Sequence, residues 1–351
     1  MAKNLNLPIT KRANNKNNVY NGKENNSFLI NRVKNDENKI NNNINFIKNK
    51  NIKKPENIKQ IVNKKNISNK NKFNYNKKEY KKNPLEEYDD SIMKNLFLDE
   101  IKNRPNYQQI NQIFTEKDIF ARFTCINFII SISETFCFRQ ETIYLTINLY
   151  DRCFPKLKSY NNPINMKIFV LTCIFIASKY EEIYPPLIED YSELVSFSRT
   201  ELFKLENFIL DRINFELHIC SPYLFLTKFF YANSQKENIE ILYLAQLILD
   251  LSTLSLDFCA YKPSFQAAIC LYLSRYVFYK NKIEIKLWTK DNEFLTGYSE
   301  MEIKKSIKLS LIKIKEFYNG KFVKDYSKTW IYKKYSSDKY LGVAKRFGHL
   351  F

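Results

Sequence analysis

The chain has 351 residues, 44% apolar, 26% charged and 15% aromatic, which is enough material for two domains of ordinary size with a core in each. With five glycines, two well-separated histidines and seven cysteines that never form a C-x-x-C pair, it lacks the raw material for glycine-loop nucleotide sites, zinc sites and His-based nucleophilic relays. The net charge of +19 is unevenly spread: residues 1–82 hold 21 Lys/Arg against five acids, a balance of +16, so the other 269 residues carry only +3.

Of the first 80 residues 25 are Asn, and no helical or strand period survives more than a few positions, so residues 1–82 are expected to be a disordered tail. The pairs Lys53-Lys54, Lys64-Lys65 and Lys77-Lys78 read as a solvated linker, with weak attraction for phosphate or an import receptor as the alternative. An odd number of cysteines scattered through apolar segments predicts reduced, buried thiols in an intracellular protein rather than a disulfide frame. The longest apolar run, Ile168 to Ala177, is far short of the ~20 residues that span a bilayer, so a core helix is expected and no membrane partner.

From Pro84 the pattern is helical throughout, with almost no strand-like alternation, which predicts an all-α fold. A first helix from Leu85 to about Lys102 has acids in its opening turn and exposes Tyr88, Ile92 and Leu96 as a stripe. After a turn at Pro105, helices are predicted for Glu116–Phe136, Gln140–Phe154, Ile164–Glu182, Leu187–Val195 and Arg199–Ile213, the last opened by a Ser198/Glu201 capping box. Ser221-Pro222 begins a second set: Pro222–Tyr231, Asn238–Leu256, Pro263–Phe278 and Ser299–Phe317. Asn281–Gly297 reads as a connecting loop and Tyr318–Phe351 as a tail with turn signals.

Two charges stand where the pattern demands apolar residues. Arg122 is flanked by Ile126 and Ile129, and Asp151 by Ile147 and Phe154, so each would be costly to bury alone and the two are expected to meet. No other titratable residue is expected to join them, which favours a structural staple over a catalytic pair. A second cluster, Lys179 to Pro186, is a very apolar helix that ends in a polar, proline-stopped segment; by itself its lysine is an ordinary charge at a helix C-terminus.

The string Ala177-Ser178-Lys179-Tyr180-Glu181-Glu182-Ile183-Tyr184-Pro185-Pro186 resembles the cyclin signature A-S-K-[FY]-E-E-I-x-P-P. Glu141-Thr142-Ile143-Tyr144-Leu145 with Asn148-Leu149-Tyr150-Asp151-Arg152 is similar to that family's E-T-L-x-L-x-x-N-x-x-D-R. Lys262-Pro263-Ser264-Phe265-Gln266-Ala267-Ala268 and Leu295-Thr296-Gly297-Tyr298-Ser299-Glu300 resemble strings of the second cyclin lobe. Lys334-Tyr335-Ser336-Ser337-Asp338-Lys339-Tyr340 is similar to the K-Y-S-S-x-K-Y of A- and B-type mitotic cyclins. The resemblance covers roughly residues 84–345.

It implies two tandem five-helix cyclin boxes: a tail at 1–82, an N-terminal helix and linker at 83–115, boxes at 116–218 and 219–318, and an extension at 319–351. It further implies a regulatory subunit that binds and activates a cyclin-dependent protein kinase around G2/M, without catalytic residues, metal or cofactor of its own. Carried over by motif, Lys179 and Glu206 are the charged kinase contacts, with Tyr180, Leu210, Phe215 and Leu217 as apolar neighbours and Tyr88 and Ile92 on the leading helix. Both charges are expected to face solvent, while plain core is the alternative for each apolar residue and an equal one for Leu210. The substrate-docking patch is degenerate, with Ala121, Thr124, Cys125 and Phe128 replacing larger apolar residues and Lys167 standing where a glutamine is usual. Lys23-Glu24-Asn25 spells a degron that would be read by the anaphase-promoting ubiquitin ligase; the copy at Lys236-Glu237-Asn238 reads as a helix start. The alternatives are a general transcription factor of the TFIIB type or a transcriptional cyclin. The small charge of the folded region argues against nucleic-acid binding, and the K-Y-S-S-x-K-Y string argues against a transcriptional cyclin.

Overall fold

The computed structural model describes residues 84–158, 165–233, 237–280 and 286–348; the side chains of 84–90, 233 and 313 are outside that set. Among the described residues there are α-helices and short 3-10 turns and no strand. The leading helix α1 (Pro84–Asp99) and a short α2 (Tyr107–Ile113) precede a first bundle of α3 (Glu116–Phe136), α4 (Gln140–Leu157), α5 (Met166–Glu181), α6 (Ile188–Ser192) and α7 (Arg199–Arg212). The second bundle holds α8 (Pro222–Asn233), α9 (Ile239–Ser252), the one-turn α10 (Leu256–Cys259), α11 (Pro263–Phe278), α12 (Lys290–Thr296) and α13 (Glu300–Tyr318). Two short helices, α14 (Trp330–Tyr335) and α15 (Val343–Phe347), complete the chain.

Each bundle is built round a helix that is apolar on every side. In α5 every residue from Ile168 to Ser178 is buried, and α3, α4 and α7 pack against it. In α11 only Phe265, Tyr276 and Phe278 escape full burial, and α8, α9 and α13 surround it. Each Leu, Ile or Phe so covered contributes roughly 1.5–3 kcal/mol relative to exposure, so these two helices anchor their bundles. Helix α3 is apolar and long enough to cross a membrane by length and composition, yet half of that stretch is buried within the bundle.

Several predicted boundaries move. Helix α4 runs through Pro155 to Leu157, because the ring sits in the last turn and burial of Phe154 and Leu157 holds that turn in place. Ser198 is the N-cap of α7 but its side chain makes no capping bond, so the predicted box is absent. The leading stripe is less open than expected: Ile92 and Leu96 are half-buried, while Phe97 packs on Phe225 of α8 at 5.4 Å between ring centroids. The loop expected at 281–297 contains α12, whose Thr289/Asn292 capping box and left-handed Gly297 at the C-cap (φ 74°) are sequence signals of a helix that the polar composition masked. The expected tail is also structured, with Ile331, Lys334, Tyr335, Tyr340, Val343 and Ala344 buried. Six of the seven free cysteines are buried, and burial pushes Cys125 up to about 12 and Cys259 up to about 11; Cys137 is exposed, in a left-handed C-cap (φ 57°).

Candidate functional site

Helices α5 and α7 of the first bundle pack on each other and are joined by Lys179 and Glu206, and each is followed by a loop. Helix α5 stops because Pro185 and Pro186 cannot continue it. Glu182 at its C-cap is fixed in turn, accepting from the Arg139 backbone N–H at 2.8 Å and from the Thr142 hydroxyl. The segment beyond is therefore anchored at its base while its apolar side chains point outward: Ile183 is 81% and Tyr184 89% exposed, and Leu187 is exposed beside them in sequence.

The end of α7 is shaped by cations and by backbone strain. Lys156 Nζ donates to the Arg212 carbonyl at 3.1 Å and Arg152 Nη2 to the Ile213 carbonyl at 3.4 Å, occupying carbonyls that a helix end leaves open, while Arg152 Nη1 holds the Glu216 carbonyl of the following turn at 2.8 Å. Asn214 and Phe215 then adopt left-handed backbone angles (φ 53° and 58°), a conformation uncommon for a bulky residue. The Phe215 N–H reaches back to the Leu210 carbonyl at 2.9 Å, and the Phe215 ring is left 65% exposed. A strained turn that projects a phenylalanine into water is costly by itself, and such strain tends to gather at contact sites.

Near the end of α5 Lys179 forms an ion pair with Glu206 of α7, and its ammonium lies 4.2 Å from the Phe175 ring centroid. The lysine side chain is 42% exposed but that of Glu206 only 11%, which corrects the expectation that both charges face solvent. Glu206 sits on the α7 face that also buries Leu202 and Ile209, so the pair is made across the helices before any partner arrives. An ammonium has three donors, and the exposed side of Lys179 leaves room for a further acceptor. Around the pair Tyr180 is exposed, while Leu210 and Leu217 are half-buried and shared between core and surface. Ile92 is half-buried on α1, Tyr88 has its side chain outside the described set, and Lys23, Glu24 and Asn25 lie outside the described residues. Sequence reasoning did not single out Ile183, Tyr184 or Leu187 as site residues, although apolar residues beside a proline stop are the signal for them.

Arg122 of α3 and Asp151 of α4 are 1% and 0% exposed, joined by Nε and Nη2 bonds of 2.8 Å each. Arg122 Nη1 also donates to the Thr253 carbonyl at 2.7 Å, so the pair ties the first bundle to the second. Burial opposes the charged guanidinium, yet the Asp151 carboxylate outweighs it and holds Arg122 well above its usual range. Of the degenerate patch, Ala121, Thr124 and Phe128 on α3 and Lys167 on α5 are half-buried and Cys125 is buried. Phe123 turns elsewhere: it is buried and stacks on Phe322 at 5.0 Å. Asn238 caps α9 by accepting from the Glu240 N–H at 2.9 Å.

Comparison with known proteins follows the two-bundle division. Residues 91–218 match the family described as cyclin, N-terminal domain, and residues 220–346 match cyclin, C-terminal domain. Cyclin-A1-2 of Arabidopsis thaliana is 28% identical over 260 residues, 73% of this chain and 56% of that protein. Cyclin-B1-3 of the same plant is 27% identical over 257 residues, with the same coverage of 73% and 56%. The chain thus spans a little over half the length of these relatives. A viral cyclin from herpesvirus saimiri superposes with a TM-score of 0.53 at 17% identity, covering 64% of this chain and 97% of that one, a likeness of fold.

Proposed function

The chain belongs to the cyclin family and is similar to its A and B types, and on that premise we propose that it is a regulatory subunit that binds and activates a cyclin-dependent protein kinase in cell-cycle control, acting around the G2-to-mitosis transition. The observation that carries the reading is the half-open Lys179/Glu206 pair, with Tyr180, Ile183, Tyr184 and Leu187 exposed just beyond it in sequence and Phe215 exposed on the turn that follows α7. Apolar side chains held on anchored loops bury against a partner with little ordering cost. Lys179 then donates to a partner carbonyl while Glu206 keeps it aimed. A kinase C-helix seated there would be pressed toward the position in which its ATP-orienting Lys/Glu pair forms, and the subunit would contribute binding energy alone. Turnover through Lys23-Glu24-Asn25 by the anaphase-promoting ubiquitin ligase belongs to the same proposal.

The test is the double variant Lys179→Ala with Glu206→Ala. Removing both partners leaves no lone charge at the α5/α7 contact, so the melting temperature should stay near that of the wild type. Kinase affinity should fall by ~2 to 5 kcal/mol, the range for losing a desolvated charged contact, and activation toward a histone-type substrate should fall with it. Undiminished activation by a folded double variant would overturn the reading.

Docking of substrates should be weak. The half-buried Ala121 and Thr124 and the buried Cys125 offer little apolar wall. Losing ~100 Å2 of contact at ~25 cal/mol per Å2 predicts an R-x-L peptide bound on the order of 100-fold more weakly than by a cyclin with the full patch. Fluorescence anisotropy with a labelled peptide measures this, and comparable affinities would show that Phe128 restores the groove.

A further inference from the structure

Helix α13 has two unlike faces. Ile303, Ser310, Ile314 and Phe317 are buried, and the helix packs against α9 and α11. On the opposite side, at about 100° per residue, stand Met301, Lys305, Lys308, Ile312 and Lys315, all exposed, with Met301 66% open. Their spacing of four, three, four and three residues is that of a coiled-coil seam. Other charges nearby are already engaged: Lys304 pairs with Glu300 at 2.9 Å, and Glu302 caps Ser299 at 2.8 Å. Among the described residues Lys305, Lys308 and Lys315 form no ion pair. A shallow depression lined by Glu300, Met301, Lys304 and Lys305 marks the N-terminal end of the stripe.

We propose that this stripe is a docking surface for an acidic amphipathic helix of a partner protein. Its apolar side chains would cover Met301 and Ile312, and its carboxylates would face Lys305, Lys308 and Lys315. Charge selects this occupant. A second copy of the chain would set lysine against lysine, and the chain's own residues 1–82 carry +16, so both are repelled. Two apolar residues interleaved with three lysines along one helix face suit a protein helix better than a phosphate backbone. The stripe extends over about four turns, enough for two heptads of contact. It lies on a helix of the second bundle, whereas Lys179 and Glu206 belong to the first, so it goes beyond kinase binding and can fail independently of it.

The experiment uses the full chain and a synthetic helix-forming peptide of about three heptads, with leucine at the seam positions and glutamate beside them. Anisotropy titrations should show binding that weakens with salt and falls by about tenfold or more in Lys305→Glu/Lys308→Glu/Lys315→Glu. Met301→Glu/Ile312→Glu should lose a similar factor, because two apolar contacts become unpaired acids. A peptide with lysine in place of glutamate should bind the triple charge-reversal variant and not the wild type. Circular dichroism and kinase binding should be unchanged in these variants. Equal binding of a peptide of the same composition with scrambled leucines would overturn the proposal, because it would show a generic basic surface. So would tighter binding of duplex DNA or phosphatidylserine vesicles than of the peptide, or indifference to both sets of substitutions.

Discussion

Replacement of Arg122 by alanine is expected to lower the stability of the protein by about 3–5 kcal/mol, because Asp151 would remain as a buried carboxylate without its cation. The Arg122 side chain is 1% exposed and Asp151 is fully covered, so water cannot take the place of the guanidinium. The loss extends beyond the pair: the Thr253 carbonyl loses its 2.7 Å donor, and Asp151 is left with the Tyr107 hydroxyl, a further titratable group at the pair, donating at 3.1 Å. Thermal and urea unfolding of the single variant should therefore show a large fall in stability. The double variant Arg122→Met with Asp151→Leu should recover much of it, because an apolar pair of similar volume removes the unpaired charge along with its partner. A melting temperature of Arg122→Ala equal to that of the wild type would show that the pair contributes nothing to stability.

A loss of similar size is expected for Asp250→Ala, at a place that holds three parts of the chain together. Asp250, near the end of α9 in the second bundle, accepts from Tyr144 of α4 at 2.7 Å and from Tyr335 of α14 at 2.8 Å. It also pairs with Lys334 of α14 at 2.8 Å, and that lysine side chain is 0% exposed. Lys334 is further enclosed by the Tyr335 ring at 4.8 Å and by Gln140 Oε1 at 3.1 Å. Burial and the nearby Asp250 carboxylate hold both tyrosines well above the usual phenol range, so they remain donors across the physiological range. Removing the carboxylate leaves an ammonium and two hydroxyls without their acceptor, a cost of about 3–5 kcal/mol for the charge alone. The extension at residues 329–348 should then loosen, which hydrogen exchange would report as faster exchange in α14 and α15 than in α5. Asp250→Leu with Lys334→Met should restore protection. If α14 keeps wild-type protection in Asp250→Ala, the clasp is not what holds the extension.

Much of this protein is written locally. The all-α class follows from helical period and the near absence of alternation, and the ends of α3, α5, α11 and α13 follow from caps and prolines within a few residues of each boundary. The motif strings that carry the cyclin resemblance are contiguous and needed no structure. Local signals also frame α12, through Thr289, Asn292 and Gly297, whereas α4 continues past Pro155 because of burial and not because of any local propensity. The Arg122/Asp151 meeting was legible because each charge interrupts an apolar face, and an interruption needs only one sequence to be seen.

What the tertiary structure decided are the pairings between faces that no local pattern relates. Glu206 is shielded and bound to Lys179, because the packing of α7 on α5 sets how much of each side chain water reaches. Arg122 extends to a carbonyl 131 residues away in the second bundle. Asp250 gathers Tyr144 and Lys334 from 106 residues before it and 84 after it. Periodicity says which side of a helix is buried but not which other helix covers it, so partners at such separations are set by how the bundles pack.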